Sequence, residues 1–258
     1  MPAPLSHQGA GTRPCIVLIH SLATRAAAWD VHADWLRRQG WRVLRYDVRG
    51  HGRNRPAEAG CSLPALADEL EALLRAHAVE RAHLVGISMG GMIAQQHAIS
   101  HPGRVASLTL IATLGHNEAP VRRAWDERIA LAREAGMGAL VQPLLQRWFT
   151  PGFRAHHAGP PNRLGQWIAA MEVESFAACG AAVRDVDTLA GLRGLRVPAL
   201  VIAGAEDLAS PPERVALLAE ALAGARFRVL PDAAHWLPLQ QPQRFRAELR
   251  DFLSALPP

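Results

Sequence analysis

The six residues Gly86-Ile87-Ser88-Met89-Gly90-Gly91 constrain this chain more than any other stretch. An apolar run, Ala82-His83-Leu84-Val85, leads into them, and a stretch of helical character, Met92-Ile93-Ala94-Gln95-Gln96, follows. Strand, then G-x-S-x-G, then helix is the setting of a nucleophile elbow. The serine of such an elbow stands on a tight, strained turn. Gly86 and Gly90 leave room for the close backbone packing around it. Ser88 is then held out at the end of a strand, and the Met89 N–H points at an oxyanion forming on a substrate.

The remaining chain alternates in the same way. Cys15–Ile19 is a continuous apolar run, as in a buried parallel strand. The pattern predicts a helix over Ala26–Gln39, stopped by Gly40. A strand over Arg42–Tyr46 follows, then a helix over Leu63–His77 with apolar Leu66, Leu70, Leu73 and Leu74 on one face. Val105–Ala112 reads as a strand. From His116 to Leu192 the alternation lapses into helical segments broken by glycine and proline, with Trp125, Trp148 and Trp167 among them. It resumes with a strand over Pro198–Ala203, a helix over Pro211–Ala221, a strand over Arg226–Leu230 and a helix over Pro242–Leu253. This order implies a mostly parallel sheet with helices on both faces. The core is expected over 1–115 and 193–258, and an inserted helical cap over 116–192.

Composition narrows the function classes. All 28 basic residues are arginine; the chain has no lysine, so chemistry through a lysine Schiff base is excluded. The formal net charge is +5, but the arginines are dispersed among acids, as in Arg122-Arg123-Ala124-Trp125-Asp126-Glu127-Arg128. They read as a solvated surface rather than a nucleic-acid stripe. No apolar run reaches the roughly 18 residues of a membrane span. No signal peptide is apparent, and a cytoplasmic location is expected. Cys15, Cys61 and Cys179 stand at unrelated spacings and read as buried free thiols in a reducing compartment.

A serine nucleophile needs a base, and the base needs an orienting group. In folds built on this elbow the order is Ser, then Asp or Glu, then His. Asp207 follows the strand ending at Ala203, and His235 follows the strand ending at Leu230. His235 is the candidate base and Asp207 its partner. Glu206 is the rival of Asp207 and is read as solvated. Asp232 lies too close to His235 to orient it and reads as a turn residue. The second oxyanion donor is expected in the loop His20-Ser21-Leu22-Ala23-Thr24, with Leu22 N–H pairing with Met89 N–H. Arg45-Tyr46-Asp47-Val48-Arg49-Gly50-His51-Gly52 reads as a tight structural loop whose Asp and Arg pin its neighbours. His97 and His101 could form half a metal site, but no nearby carboxylate or third ligand completes it. His101 is better explained by the dipole at a helix C-terminus. His156-His157 shows no ligand pattern. No metal and no cofactor are expected.

These features resemble the α/β-hydrolase fold, and one branch in particular. His20-Ser21-Leu22-Ala23-Thr24 with Trp29-Asp30, the Arg45–Gly52 run and Gly86-Ile87-Ser88-Met89-Gly90-Gly91-Met92 resemble 3-oxoadipate enol-lactonases. So do Arg133-Glu134-Ala135-Gly136-Met137, Arg147-Trp148-Phe149-Thr150-Pro151 and Ala178-Cys179-Gly180-Ala181-Ala182-Val183-Arg184-Asp185. The similarity runs from about Cys15 to the C-terminus. Members of that family begin with a β-hairpin, whereas residues 1–14 here do not read as two strands. The Arg42–Tyr46 strand is then expected at a sheet edge, inviting a homodimer or cover by the N-terminal tail. Trp236 stands where smaller or polar residues are usual and is expected to reshape the pocket.

The resemblance implies opening of an enol-lactone in aromatic catabolism through an acyl-enzyme on Ser88. The small-molecule substrate would carry a carboxylate, with Arg133 and Arg147 as anchors and Trp148 as an apolar wall. Other readings remain: a carboxylesterase or other lactonase, a C–C bond hydrolase, a perhydrolase, or a ligand sensor with slow turnover. Dehalogenases and epoxide hydrolases of this fold use Asp at the elbow, and Ser88 argues against them.

Overall fold

The computed structural model describes residues 13–54 and 61–256; the expectation about an N-terminal hairpin lies outside them. Six strands form one sheet: β1 (Arg13–Ile19), β2 (Trp41–Arg45), β3 (Ala82–Ile87), β4 (Val105–Ile111), β5 (Ala199–Gly204) and β6 (Arg226–Leu230). Their order is β2-β1-β3-β4-β5-β6, and every pairing is parallel. β3 and β5 are buried at every position, which is why they read as unbroken apolar runs. β2 and β6 are the edges among the described residues. β6 exposes Arg226 and Arg228, charges that discourage pairing with another strand.

The core helices are α1 (Asp30–Arg38), α2 (Leu63–Ala76) and α3 (Met89–Ser100). Between β4 and β5 run α4 (Ala119–Ala135), α5 (Val141–Trp148), α6 (Pro151–His156), α7 (Gly159–Ala169), α8 (Val173–Arg184) and α9 (Leu189–Leu192). The chain ends with α10 (Pro212–Ala221), α11 (Leu237–Gln240) and α12 (Pro242–Ser254). α1 meets α12 through His32 and Phe245, whose rings are 5.0 Å apart. α2, α3, α9 and α10 form the other layer. No helix among the described residues is long and apolar enough to cross a membrane.

Two local expectations need correction. The helix expected over Ala26–Gln39 is a 3₁₀ turn over Ala26–Trp29 followed by α1. The Ala26 N–H is held by Asp47 Oδ1 at 2.8 Å, so the chain reaches the helix through a tighter turn. The pair His97 and His101 does have carboxylate neighbours. Glu71 Oε2 lies 3.3 Å from His97 Nε2, and Asp68 Oδ1 lies 3.5 Å from His101 Nε2. Both acids come from α2, far away in sequence. Burial opposes ionisation of Glu71, but hydrogen bonds from Arg75, Arg104 and His97 outweigh it and hold its pKa at about 2.

The strand order reverses direction between β1 and β3, because the chain passes from β1 to β2 on one side and to β3 on the other. The loops at the carboxyl ends of these two strands part there and leave a crevice. One carries Leu22 and the other Ser88. Packing at this point is backbone on backbone. A Cβ on Gly90 would stand 2.3 Å from the Ile19 carbonyl oxygen, and one on Gly86 would stand 2.3 Å from the Gly90 carbonyl oxygen. Gly90→Ala is therefore expected to destabilise the protein by at least about 1–3 kcal/mol. Gly103→Ala, with nothing within 4 Å of the added carbon, should stay within about 0.5 kcal/mol of the parent. Denaturant melts of the two variants measure both; equal stabilities would contradict the elbow packing described.

Candidate active site

Ser88 joins β3 to α3 with φ 54° and ψ −120°, a conformation that costs a non-glycine residue about 1–3 kcal/mol. Hydrogen bonds hold it there. Its N–H donates to the Ile111 carbonyl at 2.9 Å, and its own carbonyl accepts from Met92 N–H at 3.0 Å and from the Thr113 hydroxyl at 2.7 Å. Gln95 of α3 bonds Thr113 and is itself bonded by Thr188 at 2.5 Å. A buried polar chain thus runs from the elbow to the start of α9.

Asp207 and His235 meet as the sequence order predicted. His235 Nδ1 lies 2.9 Å from Asp207 Oδ2, with both residues buried. Asp207 Oδ1 accepts the N–H groups of Ala209 and Ser210 at 2.7 and 3.0 Å, so the carboxylate is fixed on both sides. Glu206 is exposed. Asp232 is also exposed, in a turn with φ 54°. The strands carrying Asp207 and His235 can approach this closely because Gly204 has no side chain. A Cβ there would stand 2.4 Å from the Ala234 carbonyl oxygen. With Nδ1–H donating to Asp207, Nε2 is left as the proton acceptor of His235.

Ser88 and His235 line one cavity of about 400 Å³. Ser21, Leu22 and Ala23 border it beside Ser88. Leu22 N–H and Met89 N–H have no protein acceptor among the described residues, which leaves both for an oxyanion. The loop carrying Leu22 is clamped by two buried histidines. His20 Nε2 accepts Val48 N–H at 2.9 Å, and its Nδ1 lies 2.8 Å from the Ser21 carbonyl. His51 Nε2 accepts Ala23 N–H at 3.0 Å, and its Nδ1 lies 3.0 Å from the Arg49 carbonyl. Each ring therefore donates at Nδ1 and accepts at Nε2, a pattern only neutral imidazole satisfies. Burial lowers both pKa values, that of His51 to about 3.

The far wall comes from the helices between β4 and β5. Trp148 stacks on His235 with ring centroids 6.3 Å apart and planes within 20°. Arg147 and Arg128 line the same cavity. Arg147 donates to the Leu208 carbonyl, and Arg128 lies 4.4 Å over the Trp125 ring. Neither has a carboxylate at ion-pair distance among the described residues. Burial first, and Arg147 second, lower the Arg128 pKa to about 10, so it stays cationic at neutral pH. Arg214 also faces the cavity, with Glu118 as the opposing charge.

Two expected substrate contacts are not brought to this cavity. Arg133 is 57% exposed and forms a two-pronged pair with Glu174 at 3.0 and 2.8 Å. It lies on α4 five residues, or about 140° of helix rotation, from the cavity-lining Arg128. Trp236 is fully buried behind Trp148, with ring centroids 6.3 Å apart, and its backbone N–H donates to the Trp148 carbonyl at 3.0 Å. It supports the cavity wall without forming it.

Comparison with known proteins agrees with this architecture. The model of the alpha/beta hydrolase fold family matches residues 14–242. The chain belongs to that family. It is 31% identical to 3-oxoadipate enol-lactonase 2 of Acinetobacter baylyi, over 92% of this chain and 87% of the relative. It is 31% identical to the pimeloyl-[acyl-carrier protein] methyl ester esterase of Aeromonas hydrophila, over 94% of this chain and 96% of the relative. The crystal structure of the enol-lactonase from Burkholderia xenovorans superposes with a TM-score of 0.90 at 32% identity, covering 97% and 95% of the two chains.

Within this hydrolase, sequence reasoning overlooked three contributors: Arg128, His20 and His51. Arg128 was legible only as one arginine in a charged run. His20 lies in the expected oxyanion loop and His51 in the Arg45–Gly52 run, and their burial was the missing signal. That burial predicts acid lability. The folded state keeps His51 neutral down to about pH 3, whereas the unfolded chain takes up the proton near 6.5. Between these values the unfolded state binds more protons, so stability falls as pH is lowered. His32, His83 and His97 add to the effect in the same direction, since burial lowers each to about 4. The Tm is expected to drop between about pH 6.5 and 5, above the range in which carboxylates titrate. A flat melting profile across that interval would rule out neutral buried histidines.

Proposed function

We propose that this hydrolase opens a carboxylated enol-lactone, of the 3-oxoadipate enol-lactone kind, through an acyl-enzyme on Ser88. The observation that carries the proposal is the cavity itself. Ser88 and His235 line it together with the cations Arg128 and Arg147. The names of the enol-lactonases among the relatives support the same reading.

In this mechanism His235 Nε2 takes the Ser88 proton while Asp207 holds the ring and stabilises the imidazolium that forms. Ser88 Oγ attacks the lactone carbonyl. Leu22 N–H and Met89 N–H receive the developing oxyanion. Collapse of the tetrahedral intermediate expels the enolate oxygen, which leaves as an enol and tautomerises to the ketone. His235 then activates a water that releases the acid from Ser88. Arg128 and Arg147 bind the substrate carboxylate, and Trp148 covers the His235 ring. The helical segment 116–192 acts as the cap that carries these contacts. A cytoplasmic place in the catabolism of aromatic compounds is the setting that fits this chemistry.

A second reading, hydrolysis of an open-chain ester, is favoured by the esterase among the relatives and by the apolar part of the wall, Met92, Leu114, Val121 and Phe176. The two part on charge dependence.

Freshly generated 3-oxoadipate enol-lactone and a neutral p-nitrophenyl ester are the substrates for the test. Ser88→Ala and His235→Ala should each lower kcat by about 10⁴-fold or more on both. Arg128→Ala and Arg147→Ala should raise KM for the lactone by roughly 10- to 100-fold and leave the neutral ester almost unchanged. Arg133→Ala should alter neither. If the wild-type protein turns over only the ester, the lactone assignment is wrong and the serine mechanism stands.

A further inference from the structure

The cysteines differ in their surroundings. Cys15 is buried inside β1. Cys61 stands just ahead of α2 in the core, and Cys179 lies in the middle of α8. The two are 118 positions apart in sequence, yet their Sγ atoms are 2.7 Å apart. That is closer than unbonded sulphur atoms rest in ordinary contact, and both thiols are free. The thiols are free as expected, although Cys61 is only half-buried; that two of them adjoin could not be read from spacing, which carries no information on residues that meet only through the fold.

The two sulphurs are unequal. Cys179 is fully buried, with Sγ 3.5 Å from the Arg49 carbonyl. Cys61 is half-buried, so a reagent in solution meets Cys61 first. The hydrogen bond from Cys179 acidifies Cys61 against the effect of burial, and the Arg49 charge adds to the shift. Cys179 is pushed the other way by the same contact and by burial. An accessible thiol of lowered pKa beside a partner thiol is the arrangement from which disulfides form.

We propose that Cys61 and Cys179 form a reversible disulfide that fastens α8 to the core. The oxidant is a small disulfide such as oxidised glutathione. The Cys61 thiolate attacks one of its sulphurs, and one glutathione thiolate leaves. Cys179 then gives up its proton and attacks Cys61 Sγ, expelling the second glutathione. The protein loses two electrons and two protons, and the reagent is reduced to two thiols. The bond matters to the site because α8 also carries Phe176 and Val183, which line the cavity. Phe176 lies one helical turn before Cys179. Oxidation would hold that wall of the cavity to the core, and reduction would release it.

The test uses the full chain, incubated natively with excess oxidised glutathione. Digestion without reductant, followed by mass spectrometry, should yield a peptide containing Cys61 linked to one containing Cys179. The Tm should rise by roughly 10 °C, because the bond closes a long loop in the unfolded chain. Dithiothreitol should reverse both effects. Cys61→Ser and Cys179→Ala should each abolish them, and Cys15→Ala should retain them. The comparison of oxidised with reduced wild-type protein needs no variant to fold. Glutathione adducts alone, two free thiols after oxidation, or a crosslink that leaves the Tm unchanged would each overturn the proposal.

Discussion

The site depends on a contact in which no side chain takes part: the elbow backbone lies directly against the end of β1. Gly90 meets the Ile19 carbonyl, and Gly86 meets Gly90. At this point the sheet reverses its winding, so the loops after β1 and β3 are neighbours in space with a crevice between them. A methyl group at Gly90 would push the elbow away from the loop carrying Leu22. The oxyanion role proposed for Leu22 N–H and Met89 N–H requires that spacing to hold. The strain at Ser88 is offset locally by the bonds from Thr113 and to Ile111.

Electrostatics on the two sides of the cavity are built by opposite means. Around the loop carrying Leu22, the imidazoles are kept uncharged. His20 and His51 are buried neutral rings whose acceptor nitrogens occupy the neighbouring N–H groups of Val48 and Ala23. The Leu22 N–H is left over, fixed in place without being used. On the opposite side, positive charge is concentrated. Arg147 sits close enough to Arg128 to lower its proton affinity, and neither has a carboxylate at ion-pair distance among the described residues. A cation pair kept without a counter-ion in a half-buried wall is a natural receptor for an anion. The neighbouring Arg133 of α4 does pair with a carboxylate, Glu174, but on the outer surface.

His235 links the two sides. Asp207 fixes one edge of its ring and Trp148 covers one face. Trp148 is in turn held by the backbone N–H and the ring of Trp236. A second bridge runs from Gln240, which bonds Ala234 N–H and the Thr150 hydroxyl at the start of α6. The loop of the candidate base is therefore joined to the helical segment above it, so that movement of that segment is felt at the imidazole. The Thr188–Gln95–Thr113 chain makes the matching connection to Ser88.

Much of this was legible in the sequence because it is local. An elbow announces itself by glycines at two fixed offsets from a serine, since only hydrogen fits there. Apolar strands reveal a buried parallel sheet, and the residues after their carboxyl ends, Asp207 and His235, collect at one rim. What the sequence could not reveal is set by rotation and by distance along the chain. Arg128 and Arg133 share α4, but five residues turn a helix through about 140°. Which of them faces the cavity depends on how α4 lies against α8. Trp236 adjoins His235, yet the turn sends the two rings in different directions. Glu71 meets His97, and Cys61 meets Cys179, across separations for which no periodicity exists. Local sterics and chain order determined the fold and the trio Ser88, Asp207 and His235. The identity of the charges lining the cavity was decided only when helices from distant parts of the chain packed together.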